Sequence, residues 1–317
     1  MAISSLEAAA ERAYVTLVSI EESGHMPSVH LADRGVVRVS GEDAKSFLDN
    51  LITCDLDRVS PQAARLGALL TPQGKILFDF LVFQAPAEIG GAYYLDVLKV
   101  FAPDLAKRLG FYKLRAKVAV EDLSESLAVV AGWDAPRPDD EAGFVVEDPR
   151  LPDLGWRAIV AAQDAAEFGK DPAEAYLAHR IALGVPEGGR DFLFGEAFPH
   201  EALMDQLQGV DFDKGCYVGQ EVVSRMQHRG TARTRIVPAV YEGGFAADVG
   251  VEVTAGGKAL GQTGTGADGR GLLMIRLDRA ADAIAAGETI RAGGIPVTLE
   301  KPAWIRFPFP GDAERPS

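Results

Sequence analysis

The segment Asp211-Phe212-Asp213-Lys214-Gly215-Cys216-Tyr217-Val218-Gly219-Gln220-Glu221 holds the densest set of reactive residue types in the chain. Cys216 is the candidate nucleophile or sulfur ligand, because a thiol becomes reactive where a cation or a helix N-terminus favours its thiolate. Both features are expected here. Lys214 stands two residues away, and the pattern from Gln220 to His228 turns helical, with Val222, Val223 and Met226 as a buried stripe and Gly230 as the stop. Gly215 and Gly219 let the backbone turn tightly and approach a ligand closely. Asp211 and Asp213 oppose the thiolate, and a small buried core cysteine is the competing reading. From Lys214 to Arg235 the cations Lys214, Arg225, Arg229, Arg233 and Arg235 face Glu221 alone, and Arg225 and Arg229 share a helix face. That local reversal of sign suits a carboxylate-bearing or phosphorylated ligand, or else a solvated surface.

Other constellations carry less. Gly264-Thr265-Gly266-Ala267-Asp268-Gly269 satisfies G-x-G-x-x-G, but it leads into the strand-like run Leu272–Leu277. A dinucleotide site needs a helix there to hold the pyrophosphate, so the segment reads as a hairpin turn. His25, His30, His179, His200 and His228 form no metal-type pattern, and no metal is expected. Glu201, after Pro199-His200, could accept hydrogen bonds from a ligand ring.

The chain's 317 residues carry 46 acidic and 32 basic side chains, a net charge of −14. Phosphate backbones and anionic lipid repel such a surface, so neither direct nucleic-acid binding nor a membrane surface is expected. Two cysteines, Cys54 and Cys216, are too few for a disulfide scaffold, and no apolar run reaches the ~18 residues of a membrane helix. The apolar stretch Ala13 to Ile20 lacks a basic flank and a cleavage site, and Glu7, Glu11, Glu21 and Glu22 are unlike a transit peptide. The expectation is a cytoplasmic protein with an N-terminal extension over 1–26. Met26, just ahead of the first orderly segment, offers an alternative start.

The elements that must position these residues begin with a strand at Gly35–Ser40, and Ser40 and Asp43 are placed to cap a helix bearing Ala44, Phe47, Leu48 and Leu51. A hairpin follows: Leu66 to Leu70, a turn at Thr71-Pro72-Gln73-Gly74, and a strand from Lys75 to Gln84. Further strands are read at Tyr93–Val97, Lys117–Val120, Leu127–Ala131 and Trp156–Ala161, with helices over Leu98–Leu109 and from Asp171-Pro172 to near Gly184. This mixture implies an α+β class. After Gly230, short β-type runs at Ile236–Tyr241, Val251–Thr254, Leu272–Leu277, Thr289–Arg291 and Pro296–Leu299 alternate with glycine-rich turns and one helical stretch at Ala280–Ala286. That spacing predicts a small antiparallel barrel or sandwich over 233–310, a domain boundary near Arg233, and a tail over 311–317.

The run Lys214-Gly215-Cys216-Tyr217-Val218-Gly219-Gln220-Glu221 resembles the signature K-G-C-Y-x-G-Q-E of the YgfZ family of folate-binding proteins. That family is related to the glycine-cleavage T-protein and to a mitochondrial iron–sulfur assembly factor. Arg34–Val39 leading into Phe47–Thr53, Leu70–Lys75, Arg180-Ile181 before Gly184-Val185-Pro186, and Pro199-His200-Glu201 agree with it, so the resemblance covers roughly Val29 to Pro302. It implies two interleaved α+β lobes of aminomethyltransferase type over 27–232 and a C-terminal antiparallel β-barrel. It also implies a tetrahydrofolate ligand and a role in assembling or repairing iron–sulfur enzymes, with only an indirect link to tRNA modification.

On this reading Cys216 is the redox or sulfur-reactive group, and Lys214 biases it toward thiolate. Gly215, Gly219, Gln220, Glu221 and Arg225 shape or line the site. Tyr217 stacks or packs, with packing preferred, and Arg180, Glu201 and Asp79 are weaker pocket candidates. The partners are folate and iron–sulfur enzymes or assembly proteins. The rival is a folate-dependent aminomethyltransferase, whose relatives carry paired aspartates where this chain has Phe78-Asp79. Losing one carboxylate there argues against that activity.

Overall fold

The computed structural model describes residues 27–87, 90–135, 137, 144–230 and 232–312. The N-terminal extension with Met26, and the tail from 313, lie outside the described residues. The chain divides into two compact units that alternate along the sequence. One takes the described residues to Pro72, then Leu77–Tyr176 and Leu207–Gln220. The other takes Gln73–Ile76, Leu177–Gln206 and Glu221 onward, so it holds more than the barrel segment.

The first unit is α+β with two antiparallel sheets. In the larger, β3 (Arg65–Leu70), β4 (Ile76–Gln84), β5 (Tyr93–Leu98), β2 (Arg34–Ser40) and β6 (Ala119–Asp122) lie side by side in that order. Val37 faces Leu95 and Val39 faces Tyr93 across the β2–β5 ladder. Helices α1 (Ala44–Asp49) and α2 (Ala102–Tyr112) cover this sheet, and Leu48, Leu105 and Leu109 join Val37, Val39, Phe80 and Leu95 in one core. Burying each such side chain contributes about 1.5–3 kcal/mol. The smaller sheet runs β1 (Ser28–His30), β7 (Leu127–Gly132), β9 (Trp156–Ala161), β8 (Val145–Glu147). The short helix α3 (Ala165–Phe168) packs its Ala165 and Phe168 beneath it.

One expected local feature is absent. Ser40 pairs with Ala119 in the β2–β6 ladder, so its backbone belongs to the sheet and the helix starts four residues later, at Ala44. Asp43 occupies the N-cap without a side-chain cap bond; its carboxylate accepts the Lys117 N–H at 2.7 Å instead.

Between the two sheets of this unit runs a buried ionic network. Asp96 on β5 accepts from Arg34 Nε on β2 at 2.6 Å and from Arg157 Nη1 on β9 at 2.9 Å. Arg150 and Arg157 both donate to the Tyr176 hydroxyl, at 2.9 and 3.0 Å. Burial alone would raise the Asp148 carboxyl, yet the adjoining Arg150, with Arg157, holds it below its ordinary range. Each buried charge is paired, as burial demands.

The second unit is built on a closed barrel in the order β10 (Thr234–Tyr241), β13 (Arg270–Arg276), β12 (Lys258–Ala267), β11 (Glu252–Ala255), β14 (Arg291–Ala292), β15 (Ile295–Leu299). Pairing of Ala239–Tyr241 with Val297–Leu299 closes it. The glycine-rich motif is strand through Ala267 and turns only at Asp268 (φ 50°) and Gly269 (φ 71°), which join β12 to β13 as a tight hairpin. Strand β12 escapes the sequence reading because its Gly and Thr content mimics a loop. Helix α4 (Ala173–Ala182) ends before Gly184, α5 spans Gln220–Arg229 and stops at Gly230, and α6 (Leu277–Ala285) is the expected helix among the strands. No helix among the described residues is long and apolar enough to cross a membrane.

Candidate functional site

The cysteine loop is anchored from below. Lys214 turns inward, its side chain only 2% exposed, and its ammonium donates to Asp49 O at 2.8 Å, Asp49 Oδ1 at 3.1 Å, Ile52 O at 3.0 Å and Cys54 O at 2.7 Å. These acceptors lie at the C-terminal end of α1 and in the turn after it, where carbonyls lack helical partners and a cation is favoured. The Thr53 hydroxyl donates to Gly209 O, and Asp211 N–H donates to Thr53 O, so 209–214 is laced to 49–54 at several points. Tyr217 is also buried, its ring 5.6 Å from the Lys214 ammonium, and Val218 packs on the core of the first unit. Burial pushes the Tyr217 hydroxyl's pKa far up, which suits packing over proton transfer.

Between these two inward residues Gly215 and Cys216 face solvent. A Cβ placed on Gly215 would meet no atom within 4 Å. Gly219 takes φ 83°, a conformation that glycine reaches without strain, immediately before α5 begins at Gln220. The loop is therefore a fixed hump with an accessible thiol at its crest. The ammonium of Lys214 is engaged by four backbone and carboxylate oxygens, so Lys214 holds the loop in place.

The two cysteines contrast. Cys54 is buried, and a Cβ on Gly67 would lie 2.8 Å from its sulfur. Burial pushes its thiol up to about 12. In the native protein a thiol reagent at mildly alkaline pH will modify one cysteine rapidly, and Cys216→Ala will remove that fast phase. Cys54 will react only as the protein unfolds. Fast labelling of two thiols would contradict this burial.

Two of the expected cations are answered by nearby carboxylates. Arg225 pairs with exposed Glu221 at 2.5 Å across one helical turn, an arrangement of small energetic weight. Arg235 is buried, forked onto Asp205 at 2.8 and 3.0 Å, and donates to His200 O at 2.9 Å. Arg180, expected near a ligand, is fully buried: it donates to Val185 O, to Asp191 Oδ2 at 2.7 Å and to Thr265 Oγ1 at 2.9 Å. A Cβ on Gly264 would lie 2.8 Å from Asp191 Oδ1, so the glycine makes room for this clamp. Arg180 is a brace of the second unit, which corrects its reading as a pocket residue.

Glu201 is half-buried. Its Oε2 accepts the Phe198 N–H at 2.8 Å, Oε1 has no hydrogen bond among the described residues, and partial burial raises its pKa against Lys75 and Arg235. Asp79 is half-buried on β4, while Phe78 beside it is buried edge-to-face on Phe101 at 6.4 Å. The partners that sequence reasoning passed over, Asp191, Thr265 and Asp205, act across 11 to 85 residues of separation, beyond any local pattern. No group of three or more His, Cys, Asp or Glu side chains able to hold a metal occurs among the described residues.

Residues 233–307 match the family model described as the C-terminal β-barrel domain of CAF17. Over 221 residues the chain is 37% identical to the iron–sulfur cluster assembly factor IBA57 homolog, mitochondrial, of Mycosarcoma maydis, covering 65% of this chain and 55% of that protein. Over 273 residues it is 32% identical to the mitochondrial iron–sulfur cluster assembly factor IBA57 of Mus musculus, covering 78% of this chain and 76% of the mouse protein. It thus spans a little over half the length of the first relative and about three quarters of the second. In fold it is similar to the crystal structure of the glycine cleavage system aminomethyltransferase T from Bartonella henselae. The TM-score is 0.69 at 15% identity, over 93% of this chain and 89% of that one. Both assembly-factor relatives are mitochondrial by name, which overturns the expectation of a cytoplasmic protein.

Proposed function

The chain belongs to the IBA57 family of iron–sulfur cluster assembly factors, and from that premise we propose that it supports cluster assembly or repair through the exposed thiol of Cys216. The observation that carries the proposal is the geometry of the loop: Lys214 and Tyr217 are buried on either side while Cys216 is left at the surface. A thiol held outward can ligate iron, or take the outer sulfur of a persulfide on a docked protein as that protein's thiolate leaves, without a costly loop rearrangement. One cysteine cannot hold a cluster, and Cys54 is sealed in the core. The remaining ligands must then come from a partner iron–sulfur protein, and the protein acts on clusters in transit.

The finer, YgfZ-type reading adds tetrahydrofolate. Glu201 fits such a ligand, since Oε1 is available to accept from ring N–H donors. Arg180 does not fit, being enclosed in its own ion pair. When bound, tetrahydrofolate supplies one-carbon chemistry at its ring nitrogens. Glu201 would orient the ring, and its raised pKa would let the carboxyl hold a proton nearer neutrality than an exposed glutamate does. A direct nucleic-acid role is disfavoured by the net charge of −14, so any effect on tRNA modification runs through iron–sulfur enzymes.

The test is rescue of a strain lacking the gene, scored by the activity of an aconitase-type iron–sulfur enzyme and by glycine-cleavage flux. Restoration of cluster activity by wild type but not by Cys216→Ala, with both proteins folded and equally abundant, is the expected result. Full rescue by Cys216→Ala would refute the thiol's role. Loss of glycine cleavage with intact cluster enzymes would show an aminomethyltransferase instead.

A further inference from the structure

Helix α2 presents two unlike faces. Leu105 and Leu109 are buried in the core, while Lys107, Arg108 and Phe111 share the opposite, exposed face at helical spacing. The turn that follows adds exposed Lys113, Leu114 and Arg115. Phe111 is 65% and Leu114 91% exposed. Between Ala102 and Lys117 the only carboxylate is Asp104, in a chain of net charge −14. Lys107, Arg108, Lys113 and Arg115 make no ion pair among the described residues, whereas Lys117 is paired with Glu42.

Leu114 is the telling residue. Lys113 caps the helix, so Leu114 occupies the position after the cap, where glycine or asparagine is usual, and it does so at φ 41°. A leucine there is strained, and its exposure means that no packing offsets the strain. The fold pays twice, in strain and in solvated apolar area, for a side chain that does nothing for it.

We infer that the outer face of α2 and the turn after it form a docking surface for an acidic protein segment bearing an apolar side chain. The cations supply steering and orientation, and Phe111 and Leu114 supply the apolar centre. An anionic membrane or a nucleic acid would also meet the cations. Each presents a negative surface broader than the patch, however, and so meets the repulsion of an acidic chain as well. A protein segment touches only the patch. The inference stands apart from the role proposed for Cys216.

The experiment uses the full chain and a fluorescein-labelled amphipathic helical peptide rich in Glu and Leu. Its controls are the same peptide with Leu replaced by Ser, vesicles containing phosphatidylglycerol, and bulk tRNA. Binding to the Glu/Leu peptide is expected, weakened by salt, and weaker for the Ser peptide. The triple variant K107E/R108E/R115E should lose about tenfold in affinity or more. Leu114→Gly separates function from structure. It relieves the strain, so its thermal midpoint should match or exceed wild type, while peptide affinity falls. The proposal is overturned if charge reversal leaves peptide binding unchanged, if vesicles or tRNA bind more tightly than the peptide, or if Leu114→Gly lowers the thermal midpoint.

Discussion

Lys214→Met should unfold at a much lower denaturant concentration than wild type, with a loss of about 3–5 kcal/mol. The magnitude follows from what the ammonium holds. Three backbone carbonyls, of Asp49, Ile52 and Cys54, and the Asp49 carboxylate all point at one nitrogen within 3.1 Å. Methionine matches the stem's volume but donates nothing, so the carbonyls lose their partner in a site from which water is largely excluded. Lys214→Arg should fail to restore stability, because a planar guanidinium fork cannot place a donor on four oxygens converging around one point. Equilibrium unfolding in urea is the measurement. Accelerated labelling of Cys54 in Lys214→Met would localise the damage, since Cys54 O is one of the released acceptors and its thiol lies in the adjoining core. A loss below about 1 kcal/mol, the worth of an ordinary hydrogen bond, would show that Lys214 is not the anchor described.

The same lysine shows where reading the sequence succeeds and where it stops. The motif around Cys216, its glycines and the helix that follows are local in sequence, and the helix falls where the pattern predicts, although of the expected stripe Val222, Val223 and Met226 only Val223 is buried. Local too are the strand alternations, the turn at Thr71–Gly74 and the barrel of short strands after Gly230. Side-chain direction is another matter. Nothing between 211 and 221 tells that Lys214 points inward while Cys216 points out, because the acceptors lie 160 to 165 residues earlier. Arginines that look available are engaged for the same reason. Arg235 has its carboxylate 30 residues away in Asp205, and Arg180 is answered by Asp191 and Thr265. A cation read without its partner looks available. The missed capping box at Ser40 has the same origin, since sheet pairing with Ala119 outweighs a local cap.

Arg180→Met should cost the second unit about 3–5 kcal/mol, and the result bears on function as much as on stability. Asp191 is fully enclosed, and its carboxylate accepts from Arg180 Nη1, from the Glu187 and Thr265 N–H groups and from the Thr265 hydroxyl. Removing the guanidinium leaves a buried charge with dipoles but no counterion. Asp191→Asn in the Arg180→Met background should therefore recover part of the loss. The two changes should couple by a kcal/mol or more, since residues sharing one ion pair are not additive. The alternative, in which Arg180 reaches a ligand's carboxylate, predicts the opposite pattern: native stability, no coupling to Asp191, and weakened tetrahydrofolate binding alone. Urea unfolding of the two single variants and the double, beside a folate titration of each, distinguishes the two. If the brace is right, Arg180 is spoken for within its own unit, and both the stability loss and the coupling to Asp191 appear whether or not a ligand is added.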